Sequence, residues 1–350
     1  MSHGIDESTV ARAAGKALPA PDATDARPSA AFAMRAELPS ELFDASARRR
    51  LASCLDVVVA EPLTDLHTVS PEVLAGVEVL ITGWGSPTID QHTLELMPRL
   101  RAVFHAAGTV KEHLTPAVWD RGILVTTAAA ANAHPVAEYT LSMILLAGKG
   151  VLPLPADDEA EPSPEIGNYR RTVGIVGAST VGRQVIRLLA PFDLRVLVYD
   201  PVIDDDDPVL ALATRVDLDE LMRRSTIVSV HAPLLPQTVG MIGERELALL
   251  PDRATVINTA RAPIIDQDAL QAAVEQGRVR AILDVTDPEP LPASHPLRRL
   301  DGILTTPHVA GALGNELLRL GETVVHEVEL FARGAPPAYP VLKEDLAAMA

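Results

Sequence analysis

At 350 residues the chain is too long for one comfortable hydrophobic core, so two domains are expected. Its 47 Asp and Glu against 30 Lys and Arg give a formal charge of −17, which argues against nucleic acid or an anionic membrane surface as partner. A single cysteine, Cys54, excludes an intrachain disulfide and a cysteine-based zinc cluster, and fits a reducing, cytoplasmic compartment.

In chain order, residues 1–30 hold Ala, Pro and Asp without a continuous apolar stretch and read as a disordered leader, not a signal peptide. From about Met34 to Gly148, short apolar runs at Leu55–Ala60, Val77–Thr82, Leu100–Ala106 and Ile123–Thr126 read as buried parallel strands. Helical patterns fall between them at Ser70–Ala75 and Asp90–Met97. His134–Ala147 reads as a long, mostly buried helix closing this unit. The longest apolar run, near Tyr139–Gly148, is too short to span a bilayer. The Pro- and acid-rich stretch 151–166 reads as a linker.

Beyond it, strands are expected at Thr172–Val176, Arg195–Tyr199, Ile227–Val230, Thr255–Asn258, Ala281–Asp284 and Ile303–Thr305. Helices are expected at Val181–Ala190, Leu218–Arg224, Glu244–Leu250 and Gln267–Gln276. This alternation implies a parallel sheet with helices on both faces, an α/β architecture. A helical tail, about Asn315 to Arg333, is expected to pack back on the first unit. With aromatics at only 3%, both cores must rest on Leu, Val, Ile and Ala.

The run VGIVGASTVG, Val173 to Gly182, is a strand entering a helix through a turn of small residues. Such a turn lets a pyrophosphate approach backbone N–H groups at a helix N-terminus, where the dipole favours anions. Gly177 makes the tight turn and Gly182 permits close helix–strand packing. Ser179 stands where the middle glycine of a G-x-G-x-x-G pattern is usual, and its hydroxyl can bond a phosphate. The next strand ends in Asp200, 18 residues beyond Gly182, where an acid can accept the ribose hydroxyls of NAD and repel a 2′-phosphate. The bland alternative is a solvated strand-end acid. The Asp204–Asp207 run reads as a solvated loop, and no metal site is expected.

Three more segments fall at expected strand ends, where open parallel sheets bind ligands. They are NTARAPIID with Arg261, DVTDPEPLP with Asp284 and Glu289, and TTPHVAG with His308. A lone strand-end Arg or a lone His after Pro is commonly structural, but three such residues on one sheet edge read as chemistry. They resemble the NTARG, DVxxxEPLP and TPHxAG signatures of the D-isomer-specific 2-hydroxyacid dehydrogenases. HAPLLPQT, His231 to Thr238, resembles that family's HxPLxxxT strand end.

The resemblance covers nearly the whole chain after residue 50. It implies two doubly wound parallel-sheet domains: a Rossmann-type NAD-binding domain, 149–312, inserted into a flavodoxin-like substrate domain, 31–148 plus 313–350. It also implies NAD as cofactor, a small anionic 2-keto or 2-hydroxy acid of D configuration as substrate, and a homodimer. Reducing such an acid needs a cation for the carboxylate, a proton donor for the developing alkoxide and a hydride. Arg261 offers a planar, permanently charged fork for the carboxylate. His308 is the acid/base, oriented and charge-stabilised by Glu289.

By the same resemblance Asp284 bonds the nicotinamide carboxamide, and His231, Ala232, Pro233, Thr238, Thr259, Ala260, Ala310 and Gly311 line the cofactor cleft. Thr180, Val181 and Pro201 flank the turn and Asp200, and Asn132 lies near the cofactor. The loop His105–Thr109 receives the substrate carboxylate on backbone amides at Ala107 and Gly108, and Trp84 walls the pocket or serves packing alone. Ala262 stands where Gly usually follows the arginine. Lys111-Glu112-His113 replaces a usual Asp-Asn-Ile-Asp run, and the segment after Gly148 lacks an Arg/Trp-bearing stretch. Two alternatives stay open: a dehydrogenase of another small anion (phosphite, formate or a phosphonate), and a non-catalytic, NAD-sensing protein like the corepressor branch of the family.

Overall fold

The computed structural model describes residues 27–151 and 166–347. Most of the expected leader and of the expected linker therefore lies outside the described residues. The chain divides into two units. One holds the described residues up to Asn132 and from Ala312 onward; the other is Ala133–Gly311.

The first unit carries β1 (Ser29–Ala33), β2 (Asp56–Val57), β3 (Val79–Thr82), β4 (Ala102–His105) and β5 (Leu124–Thr127). All pair in parallel, in the order β2-β1-β3-β4-β5, which is the flavodoxin-like order. β1 corrects the sequence reading, which put its first residues in the leader. Its Ser-Ala-Ala-Phe-Ala run has no β-branched residue, so the propensity signal is silent. Ala30, Ala31 and Ala33 are nonetheless buried, because a central strand covered on both faces tolerates small side chains. The expected strand at Leu55–Ala60 shrinks to two exposed residues on the sheet edge.

The tail helix, Leu317–Ala332, joins this unit's core through Leu320, Val324, Val325 and Val328, which cluster with Leu38, Leu42 and Leu51. Its Glu327 is only 1% exposed. One carboxyl oxygen accepts the Ala338 N–H at 2.9 Å, the other has no hydrogen-bond partner among the described residues, and burial pushes the pKa up to about 7.

The second unit carries β6 (Thr172–Val176), β7 (Arg195–Tyr199), β8 (Thr214–Arg215), β9 (Ile227–Val230), β10 (Ala254–Asn258), β11 (Val279–Leu283) and β12 (Ile303–Thr305). Their order is β12-β11-β10-β9-β6-β7-β8, all parallel, a Rossmann arrangement with one added strand. The order reverses between β6 and β9, which places the Gly177 turn at the switch point.

The boundary between the units differs from the expected 148/149. The helix runs over Ala129–Gly148, and from Ala133 it belongs to the second unit. Ala137, Ile144 and Ala147 pack in one cluster with Val173 and Ile175 of β6 and Val198 of β7. An apolar helix next to a linker does not announce which sheet it covers. Among the described residues no helix is long and apolar enough to cross a membrane.

Candidate active site

The turn after β6 is built so that only small residues fit. Gly177 has φ +98°, and a Cβ there would lie 2.5 Å from the Ala232 nitrogen. Ser179 ends the turn as the N-cap of the ten-residue helix Thr180–Leu189, its hydroxyl oxygen accepting the Gly182 N–H at 3.3 Å. That explains the departure from glycine: the cap is worth about 1 kcal/mol and leaves the hydroxyl proton to donate. Asp200, at the end of β7, accepts the Ala178 N–H at 2.7 Å and the Val202 N–H at 2.9 Å. The acid is thus locked against the turn, with lone pairs remaining for hydroxyl donors, and Pro201 follows it exposed. A backbone cradle that excludes a Cβ, a helix N-terminus and this acid together fit a dinucleotide such as NAD. In the Asp204–Asp207 run, Asp207 pairs with Arg183 at 2.6 Å and Asp205 with Arg215 at 2.7 Å.

Other expected cofactor residues turn out to shape the edge. The His231 imidazole is 4% exposed and bonded to Ser229 Oγ at 2.9 Å, and burial pushes its pKa down to about 3. The imidazole is therefore held neutral within the packing at the end of β9. Thr238 closes its own turn, donating to the Pro233 carbonyl at 2.6 Å and accepting the Leu235 N–H at 2.8 Å. Thr259 Oγ1 meets Thr140 Oγ1 at 3.2 Å.

Arg261 leaves β10 through a turn held by Asn258, whose side chain accepts the Ala260 N–H and donates to the Arg261 carbonyl, both at 3.0 Å. The guanidinium bonds only the Ala260 carbonyl, at 2.8 Å, and meets no carboxylate among the described residues. Next to it, Asp284 ends β11 and is 2% exposed. Oδ1 accepts the Thr306 hydroxyl at 2.5 Å and the Val309 N–H at 2.8 Å, and Oδ2 accepts the Ala310 N–H at 2.9 Å. These bonds brace the loop after β12, where His308 has φ +54°, a left-handed conformation costing about 1–3 kcal/mol in a non-glycine residue. From this loop His308 Nδ1 meets Glu289 Oε1 at 2.5 Å, both side chains about half exposed. Nε2 has no partner among the described residues. The trio Arg261, Glu289 and His308 therefore falls on the C-terminal ends of three adjacent strands.

In the first unit the register aligns Thr82, His105 and Thr127 at the ends of β3, β4 and β5. Thr127 Oγ1 lies 3.0 Å from the Ala107 carbonyl oxygen and 2.6 Å from that of Gly108. The N–H groups of Ala107, Gly108 and Thr109 have no acceptor among the described residues, an arrangement suited to an anion. His105 is buried and bonded to Thr82 Oγ1 at 2.9 Å; burial, then the neighbouring His113, pushes its pKa down to about 3. His113 Nδ1 meets the Ser86 carbonyl at 3.1 Å, bracing the turn that carries Trp84. Asn132 accepts the Ala312 N–H at 3.0 Å and lies beside Gly108.

The family model described as "D-isomer specific 2-hydroxyacid dehydrogenase, NAD binding domain" matches residues 157–310. The glyoxylate reductase of Thermofilum pendens is 30% identical over 317 residues, covering 85% of this chain and 91% of that one. This chain belongs to the D-isomer-specific 2-hydroxyacid dehydrogenases. The D-3-phosphoglycerate dehydrogenase of Archaeoglobus fulgidus is 28% identical over 260 residues, 71% of this chain and 48% of that one. The chain thus spans about half the length of that relative. Among solved structures, a phosphoglycerate oxidoreductase from Rhizobium etli matches with a TM-score of 0.77 and 27% identity, over 91% of this chain and 99% of that one.

Within the family pattern, the departure at Lys111-Glu112-His113 has a structural account in the His113 brace. Sequence reasoning missed Asn258 and Thr306, although both sit inside the quoted motifs. Their polar side chains in otherwise tight strand-end turns were the available signal. It also missed Tyr139, whose hydroxyl meets Thr306 Oγ1 at 2.8 Å, because the two are 167 residues apart.

Proposed function

We propose that the protein is an NAD-dependent dehydrogenase interconverting a small 2-keto acid and the D-2-hydroxy acid. The observation that carries this reading is the 2.5 Å contact between His308 Nδ1 and Glu289 Oε1, with Nε2 unpartnered among the described residues. NADH, when bound, supplies a hydride to the carbonyl carbon. Arg261, which meets no carboxylate among the described residues, binds the substrate carboxylate through its fork. His308 gives its Nε2 proton to the carbonyl oxygen as the alkoxide develops, and takes the hydroxyl proton in the reverse direction. Glu289 holds the ring by Nδ1–H and stabilises its charged form. Gly177, Ser179 and the helix N-terminus hold the pyrophosphate, and Asp200 accepts the ribose hydroxyls. A homodimer belongs to the same reading and is checked by light scattering.

The test is His308→Ala assayed with NADH over a panel of 2-keto acids. The expected result is a fall in kcat of roughly 10²–10⁴ with NADH binding retained, because the imidazole acts on the proton. An unchanged kcat removes His308 from the mechanism. NADH binding by the wild type with no turnover of any keto acid favours the NAD-sensing alternative.

A further inference from the structure

Glu289 stands in a stretch that backbone pairing does not hold. Pro288, Pro290 and Pro292 carry no N–H, and from Val285 to Leu291 no backbone–backbone hydrogen bond forms among the described residues. Side chains hold the stretch instead. Before Glu289, Gln267 makes a reciprocal pair with Asp287: its Oε1 accepts the Asp287 N–H at 2.9 Å and its NH₂ donates to the Asp287 carbonyl. After Glu289, Arg298 Nε and Nη2 both donate to the Leu291 carbonyl, at 3.1 and 2.8 Å. Thr286 adds one local bond, its hydroxyl donating to the Pro288 carbonyl at 3.1 Å. Gln267 and Arg298 are themselves fixed in place. Gln267 opens the helix Gln267–Glu275, whose N-cap Asp266 accepts the Ala269 N–H at 3.0 Å. Arg298 ends the short turn Pro296–Arg298, seated by the buried Leu297.

We propose that Gln267 and Arg298 are positioning residues of the acid/base pair: by fixing the backbone on both sides of Glu289, they hold its carboxylate on His308 Nδ1. This rests on the reading above, in which His308 moves the proton. Packing does not supply that hold. Both side chains of the pair are about half exposed, and Glu289, Pro290, Arg298 and His308 line a cavity of about 410 Å³ into which the carboxylate can swing. Gln267 opposes that motion with two parallel contacts, which fix orientation as well as distance. Arg298 opposes it with two donors on one carbonyl, a charge-assisted contact. Freed at either end, Glu289 drifts from Nδ1 and the protonated imidazole loses its stabilising charge. Neither residue bonds Arg261 or the Gly177 turn, so the loss falls on proton transfer and not on cofactor binding.

The experiment measures kcat and KM across pH, with NADH and the 2-keto acid best used in the panel above. It compares the wild type, Gln267→Ala, Arg298→Leu and Arg298→Lys, each alone and combined with Glu289→Ala. Gln267→Ala and Arg298→Leu should each lower kcat by about 10–10²-fold, the scale of a misplacement near 1 Å, with the KM for NADH unchanged to within about twofold. The alkaline limb of kcat for keto-acid reduction should move to lower pH, because the protonated imidazole is less favoured without the carboxylate. Arg298→Lys, which keeps a charged donor, should recover part of the loss. In the Glu289→Ala background neither substitution should lower kcat further, since no carboxylate is left to hold. Additive losses in that background, an unmoved pH limb, or a wild-type kcat in both variants overturns the proposal. Should Gln267→Ala or Arg298→Leu fail to fold, Gln267→Glu, which keeps only the acceptor, and Arg298→Lys replace them, with smaller losses expected and the same refuting results. If no keto acid is turned over, the dehydrogenase reading fails by itself. Heteronuclear NMR of the His308 imidazole, assigned with His308→Ala, then decides the positioning role. A titration midpoint lowered toward that of Glu289→Ala in Gln267→Ala and Arg298→Leu supports it, and an unchanged midpoint refutes it.

Discussion

Asp284→Asn isolates what the buried carboxylate does. Asp284 holds the His308 loop by three hydrogen bonds, two of them from the backbone N–H groups of Val309 and Ala310. In either orientation an asparagine turns its NH₂ toward one of those backbone donors. One charge-assisted bond is lost, about 1.5–3 kcal/mol, and one buried N–H goes unsatisfied, so the loop loses about 2–4 kcal/mol. That matches or exceeds the roughly 1–3 kcal/mol held in the left-handed backbone of His308. Relaxation of that backbone would carry the imidazole off Glu289. The expected outcome is a kcat reduced by about 10² or more at saturating NADH, with the NADH Kd little changed and a cooperative thermal melt retained. Fluorescence titration gives the Kd, and steady-state kinetics over a pH series gives kcat. A weakened NADH Kd with unchanged kcat would refute the bracing role and return Asp284 to the nicotinamide carboxamide, as the family resemblance implied.

Asp200→Ala should raise the KM for NADH at least tenfold and shift the NADPH-to-NADH preference upward, since the variant loses both the ribose acceptor and the bond to the Ala178 N–H. A wild type that already prefers NADPH contradicts the role given to Asp200. Glu327→Gln tests the buried carboxyl in the tail helix: its raised pKa favours the protonated form in the folded state, so its contribution to stability is fully present below the unfolded value near 4.5 and is lost as pH rises through about 7. Urea unfolding at pH 8 should find Glu327→Gln more stable than the wild type by about 1–3 kcal/mol, a gap that closes toward pH 4.5, and a pH-independent gap would contradict the argument.

Much of the site was legible because its decisive information is local. The turn from Gly177 to Gly182 needs small residues within six positions of one another, and Arg261, Glu289 and His308 each sit in a short strand-end motif. Repeated strand–helix alternation likewise sufficed for two parallel sheets. Asp284 shows where local reading stops. Its type and position were visible, but its partners Thr306, Val309 and Ala310 arrive from the next strand end more than twenty residues away. His231 shows the same limit: its place at a strand end was visible, but only the packing around β9 decides that its imidazole is buried.

The family, then, was written in the sequence, because its signatures are short strings of particular residue types at particular strand ends. Tertiary structure alone decided that Ala-rich β1 is a central strand and that the helix from Ala133 packs on the second unit's sheet. Burial and charge pairing are sums over neighbours far apart in the chain, and only the folded packing brings those neighbours together.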